Sequence, residues 1–501
     1  MIGRKSLLIV ISRFASAGLA FIGLYFMTRY YTADVYGSIA WTLSFINTFN
    51  SITDLGFNAA HIKRISEGKN INECLSTFLV VKSVLISIMI LVILLAMIIW
   101  SFISETRFSN TQFELILLFL LYVVFYDLAS IATATFDARV ETAKTQLSVI
   151  ADPLVRIPLI AIISINKLDV NYLAYAYVLG GLAVAVISLF ILSRGKYTFQ
   201  QPGLFWSYLK FAFPIAMISI FSAISVNADK LLIGMFWTNS EVGFYSASQS
   251  TLNLFSVIGT AVSTITFPTF SSLHRKGNLW EVREKTRMAE RYISMIATPI
   301  VVVVCMFPTE IALILFAEKF VSASGPLRFL SISMYLGLLN GVYASQINAV
   351  DRPDITAKLV LASLITNITL LLILVPSQIG DIRMLGLGAT GAAVANACAT
   401  GGVLVGTRFV VKKLTGTRSN LRILLHITGG AILGAVLYGI SFLWKLQRWY
   451  DLVGYGLVAF CIFSFILFGL GELRREDIKY FRDLINPKEM KDYIKSEFRK
   501  R

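Results

Sequence analysis

Fourteen apolar runs follow one another along the 501-residue chain, at about 7–31, 36–61, 76–103, 112–138, 142–165, 171–193, 207–233, 241–268, 288–308, 326–349, 356–376, 386–410, 423–444 and 452–470, with short connections between them. Each is near or above the roughly 20 residues that an α-helix needs to cross about 30 Å of hydrocarbon. The runs are too long for barrel strands and lack sustained alternation, so their backbone groups must be satisfied within helices. The expected fold is all-α: a polytopic membrane protein of about 14 transmembrane helices. Composition agrees, because 15% of the residues are charged where a soluble protein carries about 25%. The first run is too long for a cleavable signal peptide and is interrupted by Arg13.

A net charge of +16 invites a nucleic-acid partner, but the placement of the charge argues against one. With a cytoplasmic N-terminus, and with residues near the run ends counted in the adjoining connections, inner segments hold 33 Lys and Arg and outer connections hold 9, while Arg13, Lys82 and Arg156 lie deeper inside runs. The asymmetry alternates with every crossing, as the positive-inside rule requires. Both termini are therefore expected in the cytoplasm, and the protein in the cytoplasmic membrane. The segment 273–291 carries six basic residues, and the tail 472–501 carries ten basic and seven acidic ones. Within the tail Leu473, Ile478, Phe481 and Leu484 recur at near-helical spacing. That spacing suits a helix on the anionic inner leaflet or a solvated tail.

The second run is not uniformly apolar. Asn47, Asn50, Ser51, Asp54 and Asn58 fall, at about 100° per residue, on one face of a helix. Lipid offers such a face nothing, so it should look onto protein or a wet cavity. The stripe has an echo 206 residues later, where Asn47 maps to Asn253, Asn50 to Ser256, Asp54 to Thr260 and Asn58 to Thr264. The same shift carries Thr32 to Thr238 and Gly37 to Gly243, and Gln249 joins the second stripe. Thr142-Ala143-Lys144 recurs as Thr356-Ala357-Lys358. We therefore expect a six-helix bundle over 1–200, a related bundle over 201–415, two further transmembrane helices over 416–471 and a basic cytoplasmic tail over 472–501. Parallel repeats of this kind are one plan for transporters that rock two bundles around a central site.

Ionisable residues inside a span cost about 2.5–3.5 kcal/mol each on insertion scales. They are Arg13, Asp54, Lys82, Asp127, Asp152, Arg156, Asp229 and Lys230, a set balanced between cations and anions. Arg13, Lys82 and Arg156 could draw an anionic substrate into a hydrated cavity, since a guanidinium can bind two phosphate oxygens at once. Asp54, Asp127 or Asp229 could balance those cations or hold a coupling ion. The competing reading is internal pairing, and Asp152 and Arg156, four residues apart on one helix face, invite it.

Enzyme signatures and cofactor motifs are missing. There is no GxxxxGK[ST] loop for nucleotide phosphates, and Cys74, Cys305, Cys398 and Cys461 form no CxxC pair. His61, His274 and His426 are isolated and are read as interfacial, so neither a metal nor another cofactor is expected.

Several motifs then line up with a known family: Tyr36-Gly37 and Asp54-Leu55-Gly56-Phe57 in the second run, Asn227-Ala228-Asp229-Lys230 followed by Val242-Gly243-Phe244-Tyr245, Asn367 ahead of Pro376, and GATGAAVAN over 388–396. In their order over nearly the whole length, the chain resembles the polysaccharide-transporter (lipid-linked oligosaccharide flippase) branch of the multidrug/oligosaccharidyl-lipid/polysaccharide exporter superfamily. The resemblance implies translocation of a polyprenyl-(pyro)phosphate-linked oligosaccharide for cell-surface glycan assembly. It implies a cavity lined by spans one, two, seven and eight, which places Arg13, Asn47, Asp54, Asp229, Lys230 and Asn253 at the site beside Asn50, Lys82, Arg156 and Gln249. Membrane lipids, a coupling Na+ or H+ and other polysaccharide-assembly proteins are the partners it allows. The alternatives are a cation-coupled exporter of drugs or small metabolites, and a membrane-bound glycosyltransferase or acyltransferase. The latter would need a carboxylate or histidine constellation that the sequence lacks.

Overall fold

A computed structural model describes residues 2–103, 110–195, 197–418, 420, 422–473 and 477. In chain order the helices are α1 (Ile2–Tyr30), α2 (Ala33–Asp54), α3 (Phe57–Ser66), α4 (Ile71–Ile103), α5 (Asn110–Ala138), α6 (Thr142–Ile165), α7 (Val170–Ser193), α8 (Phe205–Phe236), α9 (Asn239–Arg275), α10 (Leu279–Met306), α11 (Pro308–Phe316), α12 (Ser324–Ala349), α13 (Pro353–Leu374), α14 (Gly388–Thr415), α15 (Ile423–Ser441) and α16 (Trp449–Gly469). A 3-10 turn, Glu318–Ala323, follows α11, and a two-residue hairpin, Gln378–Ile379 with Ile382–Arg383, joins α13 to α14. Long helices overlie all fourteen expected runs, and among the described residues ten of them are long and apolar enough to span a membrane. The exceptions, α1, α2, α9 and α12, include both helices that carry the polar stripes.

Local chemistry explains where the helices begin. Thr32 sits extended before α2 and accepts the Val35 N–H, while its repeat counterpart Thr238 is extended in the same way before α9. Asn278 accepts the Glu281 N–H ahead of α10, and Pro308 and Pro353 open α11 and α13, where a missing N–H costs nothing.

The second crossing departs from expectation. It is not one helix over 36–61 but two, because Leu55 (φ 39°) and Gly56 (φ 80°) are both left-handed. A Cβ on Gly56 would sit 2.8 Å from both Ala212 O and Ile215 Cβ, so glycine is required twice over, by conformation and by space. The Asp54 carboxylate accepts the Asn58 N–H of the new helix at 3.1 Å. Asp54 thus satisfies a backbone donor that the break sets free, and Asn58 leaves the stripe for α3.

In the first half α5 and α6 lie on α7, and α1 on α6; in the second, α12 lies on α9 and α14, and α13 on α14. Across them α2 packs on α8 and α9, while α15 and α16 pack on α10. The start of the tail is tied back to α10: Arg291 binds Glu472 through Nε at 2.6 Å and Asp477 through Nη2 at 2.7 Å. The expected tail helix around Ile478, Phe481 and Leu484 lies outside the described residues.

Two of the histidines are buried within the protein. His61 is fully buried, stacked on Phe78, with Nδ1 2.9 Å from Tyr208 Oη and Nε2 2.9 Å from Thr135 Oγ1. His426 is also buried, beside Glu472. The break at Gly56 turns His61 inward.

Lys82 (1% exposed) and Asp127 (6%) form an ion pair at 3.4 Å, and Thr53 Oγ1 donates to the same Asp127 oxygen at 2.7 Å. This triad clamps α2, α4 and α5 together. Removing one member of a buried pair strands the other charge, at a cost of about 3–5 kcal/mol, whereas replacing both by apolar groups is far milder. Asp127→Leu should therefore lower the unfolding midpoint in detergent strongly, and Lys82→Met/Asp127→Leu should recover most of the loss. A double variant no better than the single one would contradict the pairing.

Candidate functional site

The two halves meet most closely where α2 and α9 begin. A Cβ on Gly37 would fall 1.7 Å from Asn239 O, and a Cβ on Gly243 would fall 2.2 Å from Ala33 O. The two glycines, one repeat apart, therefore let backbone touch backbone, which no other residue permits at those distances. Around this contact Tyr36 Oη lies 3.3 Å from Ser250 Oγ, and the Tyr36 ring packs edge-on against Phe320. Ser248 Oγ donates to Ala323 O at 3.0 Å. The halves are closed against each other on the face opposite the chain termini.

Further along α9 two cavities open, with Asn253 in the wall of both. One of about 540 Å³ lies between α9, α12 and α14 and is lined by Gln249, Asn253, Ser263, Ser333, Asn396 and Thr400, with Gly259, Gly337 and Gly341 providing room. The other, about 250 Å³, lies between α1, α6 and α9 and is lined by Tyr36, Arg156, Tyr177, Ser250 and Asn253. Amides and hydroxyls that both donate and accept hydrogen bonds suit a polyhydroxylated ligand.

The sequence candidates separate into distinct environments. Gln249 and Asn253 face the larger cavity. Asn47 and Arg13 are exposed, Asn50 is half-buried with Oδ1 3.1 Å from Thr53 Oγ1, and Asp54 is half-buried at the helix break. Arg13 makes no ion pair with a described residue. Lys82 is enclosed with Asp127. Arg156 grips Asp152 through two bonds of 2.9 Å and lies 4.4 Å from the Tyr177 ring centroid, yet still reaches the smaller cavity. Gly180 leaves room for that pair, since a Cβ there would sit 2.2 Å from Asp152 Oδ1. The side chains of Ser256, Thr260 and Thr264 lie outside the described residues.

Asp229 is 1% exposed and enclosed by three donors. Tyr245 Oη donates to Oδ2, Asn367 Nδ2 to Oδ1 at 2.8 Å and Asn396 Nδ2 to Oδ2 at 3.1 Å. Lys230, its neighbour, is half-buried. Asn396 Oδ1 in turn accepts from Ser333 Oγ, which contacts Thr400 Oγ1 at 3.1 Å. A hydrogen-bonded path thus runs from the buried carboxylate to the wall of the larger cavity. Sequence reasoning singled out Asp229 but not its partners. The signal was present, because Asp229, Tyr245, Asn367 and Asn396 all stand in the scattered motifs quoted above, and the fold brings them into one cluster. Glu290 and Arg408, a further pair with Glu290 fully buried, were missed because both lie near span ends. Among the described residues no group of three or more His, Cys, Asp or Glu could hold a metal ion.

The contact at Gly37 is testable. Gly37→Val should force the helices apart. Spin labels at Asp34→Cys and Ser240→Cys, in a background lacking the native cysteines, should show a longer distance than without the valine. An unchanged distribution would mean that the contact bears no load.

Comparison with known proteins places this architecture. The profile of the polysaccharide biosynthesis protein family matches residues 26–325. A Haloferax volcanii protein named as a probable low-salt glycan biosynthesis flippase, Agl15, is 25% identical over 411 residues, 79% of this chain and 80% of its own length. Among solved structures, the lipid II flippase MurJ in an inward closed conformation superposes with a TM-score of 0.73 at 17% identity, covering 96% of this chain and 100% of MurJ. An inward-facing multidrug resistance MATE transporter of the MOP superfamily superposes at 0.64 and 15% identity, covering 81% of this chain and 96% of its own. The chain is a multi-pass membrane protein with the fold of the MOP-superfamily transporters, and it belongs to the polysaccharide biosynthesis protein family.

Proposed function

We propose that this protein is a flippase that moves a polyprenyl-(pyro)phosphate-linked oligosaccharide across the cytoplasmic membrane by alternating access, for cell-surface glycan assembly. The observation that carries the reading is Asn253, which stands in the wall of two cavities, one within the second half and one between the halves, near the contact at Gly37 and Gly243. A phosphorylated headgroup cannot cross about 30 Å of hydrocarbon unaided, while its polyprenyl tail can remain in lipid. In this reading Gln249, Asn253, Asn47 and Asn50 hydrogen-bond sugar hydroxyls, and Arg13 meets the phosphate, with Arg156 as a second, partly neutralised cation. Lys82 is assigned to the structural pair with Asp127, and Asp54 to the helix break. The termini are cytoplasmic, so the glycine contact closes the outer face.

Asp229 is the proposed site of coupling to Na+ or H+. Asn367 Oδ1, beside its carboxylate, is buried without a hydrogen-bond partner, so two oxygens are available to a hard cation. Lys230 would adjust the local charge. A shift of Asn396 as the carboxylate is neutralised would reach the cavity wall through Ser333.

The likeness to a multidrug transporter favours a second reading, export of small molecules. That structure covers 81% of this chain where MurJ covers 96%, so part of this chain has a counterpart in the lipid flippase and none in the exporter.

Reconstitution tests the proposal. In proteoliposomes carrying a polyprenyl-diphosphate oligosaccharide with a fluorescent sugar, a membrane-impermeant quencher should reach headgroups of both leaflets within minutes, against only the outer leaflet in empty vesicles. Protection equal to that in empty vesicles would sink the flippase reading. Asn253→Leu should slow the exchange about tenfold, the equivalent of a lost hydrogen bond near 1.4 kcal/mol. Asp229→Asn should remove any dependence on a Na+ or pH gradient, and a variant that still responded to both gradients would rule Asp229 out as the coupling site.

A further inference from the structure

On the face opposite the termini a separate cavity of about 420 Å³ lies away from the polar cavities, lined by Tyr25 and Arg29 of α1, Leu313 and Ile314 of α11, and Gln447, Arg448, Trp449 and Tyr450 at the start of α16. Two guanidiniums share its wall. Neither makes an ion pair with a described residue. The nearest carboxylate in sequence, Asp451, is occupied as a cap, accepting from Trp444 Nε1 at 3.1 Å and from the N–H groups of Gln447 and Arg448 at 3.2 and 2.9 Å. Each arginine is also steered by a ring: Arg29 lies 5.5 Å from the Tyr25 centroid, while Arg448 lies 5.6 Å from that of Tyr450 and donates to its hydroxyl.

Like charges brought to one concavity repel unless an anion sits between them. Guanidiniums bind phosphate oxygens in pairs. The remaining wall is aliphatic, Leu313 and Ile314, and the rim carries Trp449 (70% exposed) and Tyr450 (47%), residues that favour the headgroup level of a bilayer. A cationic floor with an apolar wall at that level matches a lipid better than a free anion. We infer that this cavity binds the phosphate headgroup of an anionic membrane lipid. The site bridges α1 of the first half to α11 and α16, so an occupied site ties the halves together on the face where Gly37 and Gly243 already touch. It is independent of what the central cavities carry.

The test uses the full chain in detergent and native mass spectrometry, with phosphatidylglycerol, phosphatidylcholine and inorganic phosphate as probes. Wild type should retain phosphatidylglycerol over phosphatidylcholine, and Arg29→Gln/Arg448→Gln should lower that retention several-fold. Arg383→Gln, on the same face but outside the cavity, should leave it unchanged and so control for general charge. Both arginines are exposed, and unchanged melting of the double variant checks that it folds. Inorganic phosphate separating wild type from the double variant, with phosphatidylglycerol failing to do so, would support the anion site and overturn the lipid as its ligand. Equal retention of every probe by wild type and double variant would overturn the site.

Discussion

A polar group within hydrocarbon has only the protein to bond to, and this constraint arranges nearly everything distinctive in the molecule. Lys82 answers Asp127, Arg156 answers Asp152, and Arg408 answers Glu290. Asp229 makes no salt bridge with a described residue and instead collects three hydrogen-bond donors from α9, α13 and α14. The Lys82–Asp127 and Arg408–Glu290 pairs and the Asp229 cluster join different helices, while Asp152–Arg156 lies within one. Asn47 and Arg13 are exposed, and amides and hydroxyls along α9 and α12 line the larger cavity.

The two stripes illustrate how a repeat diverges once each copy has its own neighbours. α9 continues unbroken for 37 residues, whereas its counterpart stops after 22 at Asp54. The difference comes from a Leu55-Gly56 pair that turns left-handed, with Gly56 pressed against α8. At the other end the copies stay alike, with Thr32 and Thr238 before the helices and Gly37 and Gly243 within them. The copies stay alike at the Gly37–Gly243 contact and differ at Gly56, where α2 meets α8.

Much of the fold was legible because membrane helices announce themselves through length, apolarity and flanking charge. Every expected run has a long helix over it. What stayed hidden depends on contacts no run displays. The break at Gly56 looks like an ordinary membrane glycine until Ala212 and Ile215 are seen against it. His61 reads as interfacial until that break turns it towards Tyr208 and Thr135. At the candidate site, spacing alone gathered Asn47, Asn50 and Asn253, but it could not distinguish a charge that faces a cavity from one that faces a partner. Lys82 and Arg13 are both cations inside apolar runs, and only the position of Asp127 separates them.

The same distinction bears on how two halves can move without exposing a bare charge. Lys82–Asp127 and Asp152–Arg156 join helices of the first half or lie within one of them, and Glu290–Arg408 joins helices of the second, so none has to part when the halves separate. What spans the halves at their closest approach is cheaper to break: the backbone contact at Gly37 and Gly243, and the single hydroxyl contact of Tyr36 with Ser250. A neutral hydrogen bond is worth roughly 0.5–1.5 kcal/mol net, against several for stranding a buried charge. The ion pairs named thus lie within the halves, while the contact at Gly37 and Gly243 carries no charge.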